Sequence, residues 1–445
     1  MLVDNKKKVL IVGSGILGNT LAYWLSGIPK INVTVIEKEA DTSLHTTSRN
    51  TGMIHRPFYM NPEKKAILAK SASISYHLWK SFAQNFSMPW NEVGTLEVAK
   101  TELQVKTLEK YSKWAIQNGI DEKDMILLNR EEVKKLERNV AAPGGILSKT
   151  DTSTDYGTLS RKICEINRKN GVTYRFNTQV EHIDDQKQFI EYSVNGSKQP
   201  DKINYDLIIN AAGNRSIDLA HQVGIHRDLS ILYFRGEYWK VDGDLRGFVE
   251  HNIYSVADNP EFPFLDPHLI LRPDGSLEIG PNAVPVGGPY SYREGTLRNF
   301  EILALFKRPL LPKFSLFFNT QFLNLAMTEW ESSVSQRKMI ERINSFIPGM
   351  NYRKARTRGF SGIRGSLIDK NGFIPETIVA KTDTSIHILN YNSPGATGAP
   401  YFSYLVMKSL QQNGFLVEDQ IDSTFSNNIW KNVNEFEYGP ELKLF

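Results

Sequence analysis

Cysteine is almost missing: Cys164 is the only one in 445 residues. That excludes an intrachain disulfide and gives no basis for a cysteine-built metal site, so no metal is expected. Such usage fits a reducing compartment, and a cytoplasmic chain is expected. Long apolar runs are missing too. The run Val9–Val12, behind the N-terminal MLVDNKKK, is short and soon broken by glycine, so neither a signal peptide nor a membrane span is expected. Charge of one sign is not in excess. The 53 basic and 49 acidic residues leave +4, too mild and too dispersed to expect nucleic acid as a partner. Internal repeats and low-complexity segments are absent as well.

What is there is a globular composition, 40% hydrophobic and 23% charged, in a chain long enough for two domains. Its most informative stretch is Lys8–Glu37, KVLIVGSGILGNTLAYWLSGIPKINVTVIE. The apolar run Val9–Val12 predicts a buried strand. Gly13, Gly15 and Gly18 follow at the spacing G-x-G-x-x-G, then a helical pattern through Leu21, Trp24 and Leu25, then a β-branched run Val33–Ile36 ending on Glu37. Gly13 permits the tight turn, Gly15 lets a pyrophosphate approach the backbone, and Gly18 lets helix and sheet lie close. The helix N-terminus offers N–H groups to phosphates. Glu37, nineteen residues beyond Gly18, is placed to accept from a ribose diol. A glycine turn in an ordinary α/β protein is the plainer alternative, but strand, glycines, helix and acid agree on a dinucleotide site.

The polar loop Asp41–Gly52, DTSLHTTSRNTG, reads as phosphate-lining. Asn61-Pro62-Glu63 reads as the start of a long helix carrying Ile67, Ile74, Leu78 and Phe82. Helices are predicted over Glu102–Asn118, Arg130–Glu137 and Tyr156–Asn170, and strands over Gly94–Ala99, Val172–Val180 and Asp206–Ile209. The chain is expected to cross back near Pro143-Gly144-Gly145. Ile231–Val286 reads as short strands, with a hairpin turn at Arg272-Pro273-Asp274-Gly275. Asn299–Met350 reads as helical, broken by Pro309 and Pro312. Ile363–Ile378 alternates like strand, and Ile386–Leu389 is a buried strand. Domains are expected to interleave: 1–85, 149–225 and 350–430 for the dinucleotide, 86–148 and 226–349 for a second domain, and 431–445 as a C-terminal tail. The fold class is α/β, with a Rossmann-like domain and an α+β second domain on a mostly antiparallel sheet.

Ser393-Pro394-Gly395-Ala396-Thr397-Gly398 follows a strand and opens a helix whose apolar face is Phe402, Leu405, Val406 and Leu410. An ordinary capped helix would read the same. Two anion-facing helix starts in one chain, however, suit a flavin dinucleotide, charged at its pyrophosphate and, when reduced, at its ring.

The first glycine motif, SRNTGMIH at Ser48–His55, FRGEYW at Phe234–Trp239, FPFLDPH at Phe262–His268, GPNAV at Gly280–Val284, SGIR at Ser361–Arg364 and SPGAT at Ser393–Thr397 resemble the L-2-hydroxyglutarate oxidase/dehydrogenase family, within the D-amino-acid-oxidase-like flavoproteins. The resemblance runs from about residue 8 to 410. It implies bound FAD and oxidation of a 2-hydroxy acid to a 2-oxo acid. It also implies that Gly13, Gly15, Gly18, Glu37, Lys38, Ser48, Arg49, Asn50, Val180, Ala212 and Gly213 hold adenosine and pyrophosphate, with Ser14, Ile16, Leu17, Thr51 and Gly52 in the same loops. Gly362, Ile363, Gly395, Ala396 and Thr397 would line the flavin, beside Arg364 and Pro394. Two blocks depart from the family: Ile54-His55-Arg56-Pro57 stands for I-H-A-G, and Phe264-Leu265-Asp266-Pro267-His268 for F-L-G-V-H. Both bear on the substrate more than on the reaction.

The reaction needs a cation for the carboxylate, a base for the hydroxyl proton and a hydride acceptor. Arg364 is the carboxylate anchor, because a guanidinium grips bidentately. His55 and His268 are base candidates. In related flavoproteins a histidine near the position of His55 is bonded to the flavin, so base and attachment point are both open for it. Arg56 and Arg235 are candidates for a second cation, against ordinary structural charges, and Tyr238 and Tyr254 for the pocket roof, against core aromatics. The expected function is oxidation of L-2-hydroxyglutarate to 2-oxoglutarate. An amino-acid or secondary-amine oxidase of the same fold, a non-catalytic flavin-binding protein and a pyridine-nucleotide dehydrogenase are the alternatives. Oxygen, a quinone or a carrier protein would take the electrons. A quinone would need a peripheral contact at the inner membrane face, for which the apolar, basic stretch Leu305–Phe318 is the candidate.

Overall fold

Val9, Leu10, Ile11 and Val12 are all buried, as a strand covered on both faces requires. Their strand, Lys7–Val12, lies in the middle of a six-stranded sheet. The computed structural model describes residues 6–241, 247–259, 262, 266–292, 309–351, 357–416, 429–439, 442 and 444–445. The sheet runs Ile378–Lys381, Ser385–Leu389, Leu207–Asn210, Lys7–Val12, Ile31–Ile36, Thr173–Arg175, and all its pairings are parallel except that of the first strand. The chain leaves Lys7–Val12 through the helix Ile16–Ser26 toward one edge, and Leu207–Asn210 lies on the other side. This is the switch point of an α/β sheet, where a crevice opens beyond the strand ends.

A second sheet of ten strands stands over that crevice and is mostly antiparallel; Asn252–Ser255 and Thr95–Val98 are its parallel pair. Its spine is Ser230–Lys240 paired with Thr357–Asp369, Phe234 opposite Arg364. The hairpin at Arg272–Gly275 is present, with the Gly275 N–H donating to the Arg272 carbonyl at 2.9 Å.

Several elements differ from expectation, each for a local reason. The strand expected over Val172–Val180 is two strands. Asn177, at φ +52°, turns the chain from Thr173–Arg175 into Thr178–Asp184, which opens a separate three-stranded antiparallel sheet. Asn61 Oδ1 does accept from the Glu63 and Lys64 N–H groups at 2.9 Å, but regular helix begins only at Ala66 and runs to Phe86. Pro312 does not break its helix; it sits in the first turn of Leu311–Phe317, where its missing N–H costs nothing. The part of the expected helical segment at 299–308 lies outside the described residues. The boundary at 350 is also corrected, because Thr357–Asp369 belongs to the second sheet by its pairing with Ser230–Lys240. The C-terminal residues dock on the dinucleotide side: Trp430 is buried, its indole N–H donates to the Leu78 carbonyl at 3.2 Å, and its ring meets Tyr23, Trp24 and Trp79. Among the described residues no helix is long and apolar enough to cross a membrane, and no cluster could hold a metal ion.

Candidate active site

The glycine turn is built as its spacing predicts. Gly13 has φ +103°, and a Cβ there would stand 2.6 Å from the Ala211 carbonyl oxygen. A Cβ on Gly18 would stand 1.9 Å from the Gly13 oxygen, so helix and turn touch through bare backbone. Glu37 is fixed at the crevice wall by the Ser14 N–H (2.8 Å), the Ser14 hydroxyl (3.0 Å) and the Glu39 N–H (3.0 Å). From here the crevice runs as two joined compartments that share Gly15, Thr46, Thr47, Ala211, Gly213 and Asn214. They span about 920 and 1810 Å³, open mouths included.

Lys38, Val180 and Ala212 line the first compartment. Ile16, Leu17, Arg49, Asn50 and Thr51 line the second, with Gly362, Ile363 and the helix start Pro394–Thr397. Ser14, Gly18, Ser48 and Gly52 line neither. Ser14 serves Glu37, Ser48 packs its hydroxyl beside Gly157, and Gly52 turns at φ +67° against Thr154. The helix Gly395–Gln412 is held in place from behind. Trp79 donates to the Thr397 carbonyl at 2.9 Å, Trp24 to the Pro400 carbonyl at 2.8 Å, and the Tyr156 and Thr397 hydroxyls meet at 2.7 Å. Gly15 and Gly395 thus face one crevice from two helix starts.

Deeper in the second compartment stand the groups suited to chemistry. Arg364 lines it, and its Nε is buried without a hydrogen-bond partner. Among the described residues Arg364 makes no ion pair, and burial lowers its guanidinium to about 10. His268 is fully buried, stacked on Tyr254 at 3.9 Å between centroids. Its Nδ1 lies 3.0 Å from the Asp266 carbonyl oxygen, so Nδ1 carries the proton and Nε2, without a partner, is an acceptor. Burial pushes this imidazole down to about 3, which keeps it neutral. His55 lines the same space with its Nδ1 3.1 Å from Asp151 Oδ2. Tyr238 and Tyr254 are on the wall, and the Tyr254 hydroxyl is also without a partner.

Arg56 and Arg235 are corrected: neither lines the crevice. Arg56 is buried with its guanidinium over the Tyr76 ring at 4.2 Å and 3.3 Å from Thr150 Oγ1. Arg235 pairs with Glu237 at 2.9 Å and donates to the Ser291 carbonyl. Both positions, Arg56 in the loop after Met53–Ile54 and Arg235 on a strand, put the cation into structure instead of the cavity. The departure at Asp266 is also structural, since its carboxylate meets Lys100 at 2.8 Å and Arg342 at 3.4 Å. Pro263, Phe264 and Leu265 lie outside the described residues.

Sequence reasoning missed Asp151, Arg272 and Tyr59, whose ring lines the second compartment beside His55. Asp151 is 96 positions from His55, and nothing local marks it. Arg272, read only as a turn residue, donates to the Asn50 and Thr51 carbonyls at 3.2 and 2.6 Å and so clamps the loop along the crevice.

The sequence model for FAD dependent oxidoreductases matches residues 8–408. The chain belongs to this family. Its members bind FAD, and FAD fits here: the Gly13–Gly18 turn, Glu37 and the second helix start all meet one continuous crevice. This flavoenzyme is 28% identical over 396 residues to an L-2-hydroxyglutarate dehydrogenase of Indibacter alkaliphilus, covering 88% of the chain and 96% of the relative. It is 26% identical over 421 residues to the mitochondrial L-2-hydroxyglutarate dehydrogenase of Homo sapiens, covering 91% and 88%. Among solved structures it is similar to L-alpha-glycerophosphate oxidase of Mycoplasma pneumoniae with FAD bound. That match has a TM-score of 0.69 at 25% identity and covers 90% of this chain and 93% of that one. The family's oxidoreductase activity is therefore this chain's activity.

Proposed function

We propose that this flavoenzyme oxidises a 2-hydroxy acid to the 2-oxo acid, with L-2-hydroxyglutarate as substrate. The observation that carries the reading is Arg364: a half-buried guanidinium on the crevice wall, its Nε buried without a hydrogen-bond partner and with no ion pair among the described residues, in the same space as two histidines. An uncompensated buried cation is costly, and a bound carboxylate relieves it with two parallel hydrogen bonds. That grip fixes the substrate's reactive carbon. His55 takes the hydroxyl proton at Nε2, while His268, held neutral, accepts a hydrogen bond at its own Nε2. The rings of Tyr59, Tyr238 and Tyr254 keep bulk water from the reacting atoms. When bound, the FAD supplies the hydride acceptor. The five-carbon diacid is supported by the similarity to L-2-hydroxyglutarate dehydrogenases, while Arg56 and Arg235 do not supply its second cation.

Anaerobic addition of hydroxy acids and amino acids to the yellow enzyme tests this. L-2-hydroxyglutarate is expected to bleach the flavin; bleaching by an amino acid and by no hydroxy acid overturns the substrate class. A screen of oxygen, quinones and carrier proteins then names the acceptor. The reading places the enzyme in the cytoplasm, with a peripheral membrane contact if the acceptor is a quinone. Of the stretch proposed for that contact, Leu311, Phe314 and Phe318 are exposed, and 305–308 lie outside the described residues.

A further inference from the structure

Asp151 has no exposed surface and does not line the crevice, yet its carboxylate is fully oriented. It sits between the strand Gly144–Ser148 and the short strand Thr152–Ser153. Its Oδ1 accepts from the Arg56 N–H at 3.0 Å and from the Ser148 hydroxyl at 2.6 Å. Those two donors leave Oδ2 for His55 Nδ1, 3.1 Å away. A carboxylate only accepts, so Nδ1 must carry the imidazole proton. The ring edge turned to the crevice then presents Nε2 with a lone pair. The Asp266 carbonyl does the same for His268, so both histidines of the site are held in one tautomer by a partner on the far side of the ring.

We propose that Asp151 is a positioning residue that locks His55 as the Nδ1–H tautomer and so makes Nε2 the proton acceptor of the reaction. The catalytic half of this statement rests on the 2-hydroxy-acid reading; the tautomer half does not. If Asp151 were only a staple for its hairpin, through Ser148 and the Arg56 N–H, the imidazole proton would be indifferent to its charge.

Asp151→Asn separates the two. The Arg56 N–H is a fixed donor, so it demands the amide oxygen and turns the amide NH2 toward the ring. His55 Nδ1 must then accept, and the proton moves to Nε2. The first measurement is nitrogen NMR of histidine-labelled, FAD-loaded, oxidised enzyme without substrate, with His55 assigned by its loss in His55→Gln. Wild type is expected to show the Nδ1–H signature and Asp151→Asn the Nε2–H one, while Asp151→Glu keeps Nδ1–H. An Nε2–H signature in wild type, or an unchanged one in Asp151→Asn, overturns the proposal. If the Asn variant fails to hold FAD, an Nε2–H signature in wild type or in Asp151→Glu still overturns the proposal. The second measurement is anaerobic flavin reduction. Asp151→Asn should slow it by about 10²–10⁴-fold with KM unchanged, because Arg364 still grips the acid. A tautomer switch with full-speed reduction overturns the catalytic half. If no hydroxy acid reduces wild type, the substrate reading falls while the tautomer result still stands or falls by itself.

Discussion

Arg364 pays a stability cost for its place in the crevice, and the cost is measurable. Replacing it with methionine removes a half-buried cation, with a buried Nε, that has no ion-pair partner among the described residues. The substrate-free enzyme should become more stable, by about 1 kcal/mol or more, read by denaturant or thermal melting, because a partly desolvated cation without a counter-charge is removed. The same variant should lose about 10²–10³-fold in kcat/KM for a hydroxy acid, the loss expected when one partner of a buried charge pair is removed. A variant that loses activity without gaining stability would mean that Arg364 has a protein partner after all. At this scale the glycines were legible because their constraint is local: Gly13 needs its left-handed φ and Gly18 its bare approach to the Gly13 oxygen. Asp151 was not legible, because its meaning comes entirely from His55 across 96 positions. Arg56 and Arg235 misled for the same reason. A cation near a motif is read as ligand-facing until its partners, Tyr76 and Glu237, are seen.

At the scale of elements, the two helix starts depend on what packs behind them. Trp430 closes the aromatic cluster behind the helices Ile16–Ser26 and Ala66–Phe86. Trp430→Ala should destabilise the protein by about 3–5 kcal/mol, the usual range for removing a buried tryptophan, as judged by urea unfolding followed through flavin release. A change under about 1 kcal/mol would show that the C-terminal segment is only laid on the surface. Trp79→Phe is a finer probe. It keeps an aromatic ring but removes the donor to the Thr397 carbonyl and part of the buried ring volume, at a cost of at least about 1 kcal/mol, and should weaken FAD retention as the helix start loosens. Elements with a strong local signal, the apolar run of Lys7–Val12 and the helical spacing of Ile16–Ser26 and Glu102–Gln117, could be read directly. The split of Val172–Val180 could not, because one Asn177 in a left-handed conformation leaves no trace in the hydrophobic pattern. Nor could the long pairing of Ser230–Lys240 with Thr357–Asp369 be read, since pairing across that separation is a tertiary fact.

For the whole molecule, burial sets a pH dependence with two opposing parts. It pushes His45, His77 and His387 from near 6.5 down to about 4 and His268 to about 3. Between those values the unfolded chain binds protons that the folded chain refuses, so stability rises with pH up to about 6.5. Glu97 acts the other way. Burial, with Asp151 second, raises it from 4.5 to about 8, so the folded chain keeps a proton the unfolded chain has lost. Its contribution is complete below 4.5 and gone above about 8. The melting temperature should therefore peak near pH 6.5, and Glu97→Gln should flatten the decline from there to pH 8. A melting temperature that stays level as pH falls from 6.5 to 4 would contradict the neutral burial of the histidines.

The central claim is that Arg364 presents a 2-hydroxy acid to FAD held by two helix starts. Anaerobic titration of wild type and Arg364→Met with L-2-hydroxyglutarate tests it most directly, with flavin absorbance and 2-oxo acid followed together. Wild type should bleach with 2-oxoglutarate formed in step with flavin reduction, and Arg364→Met should keep its FAD yet stay yellow at the same acid concentration. Equal bleaching of both proteins, or bleaching of wild type only by an amine, would contradict it.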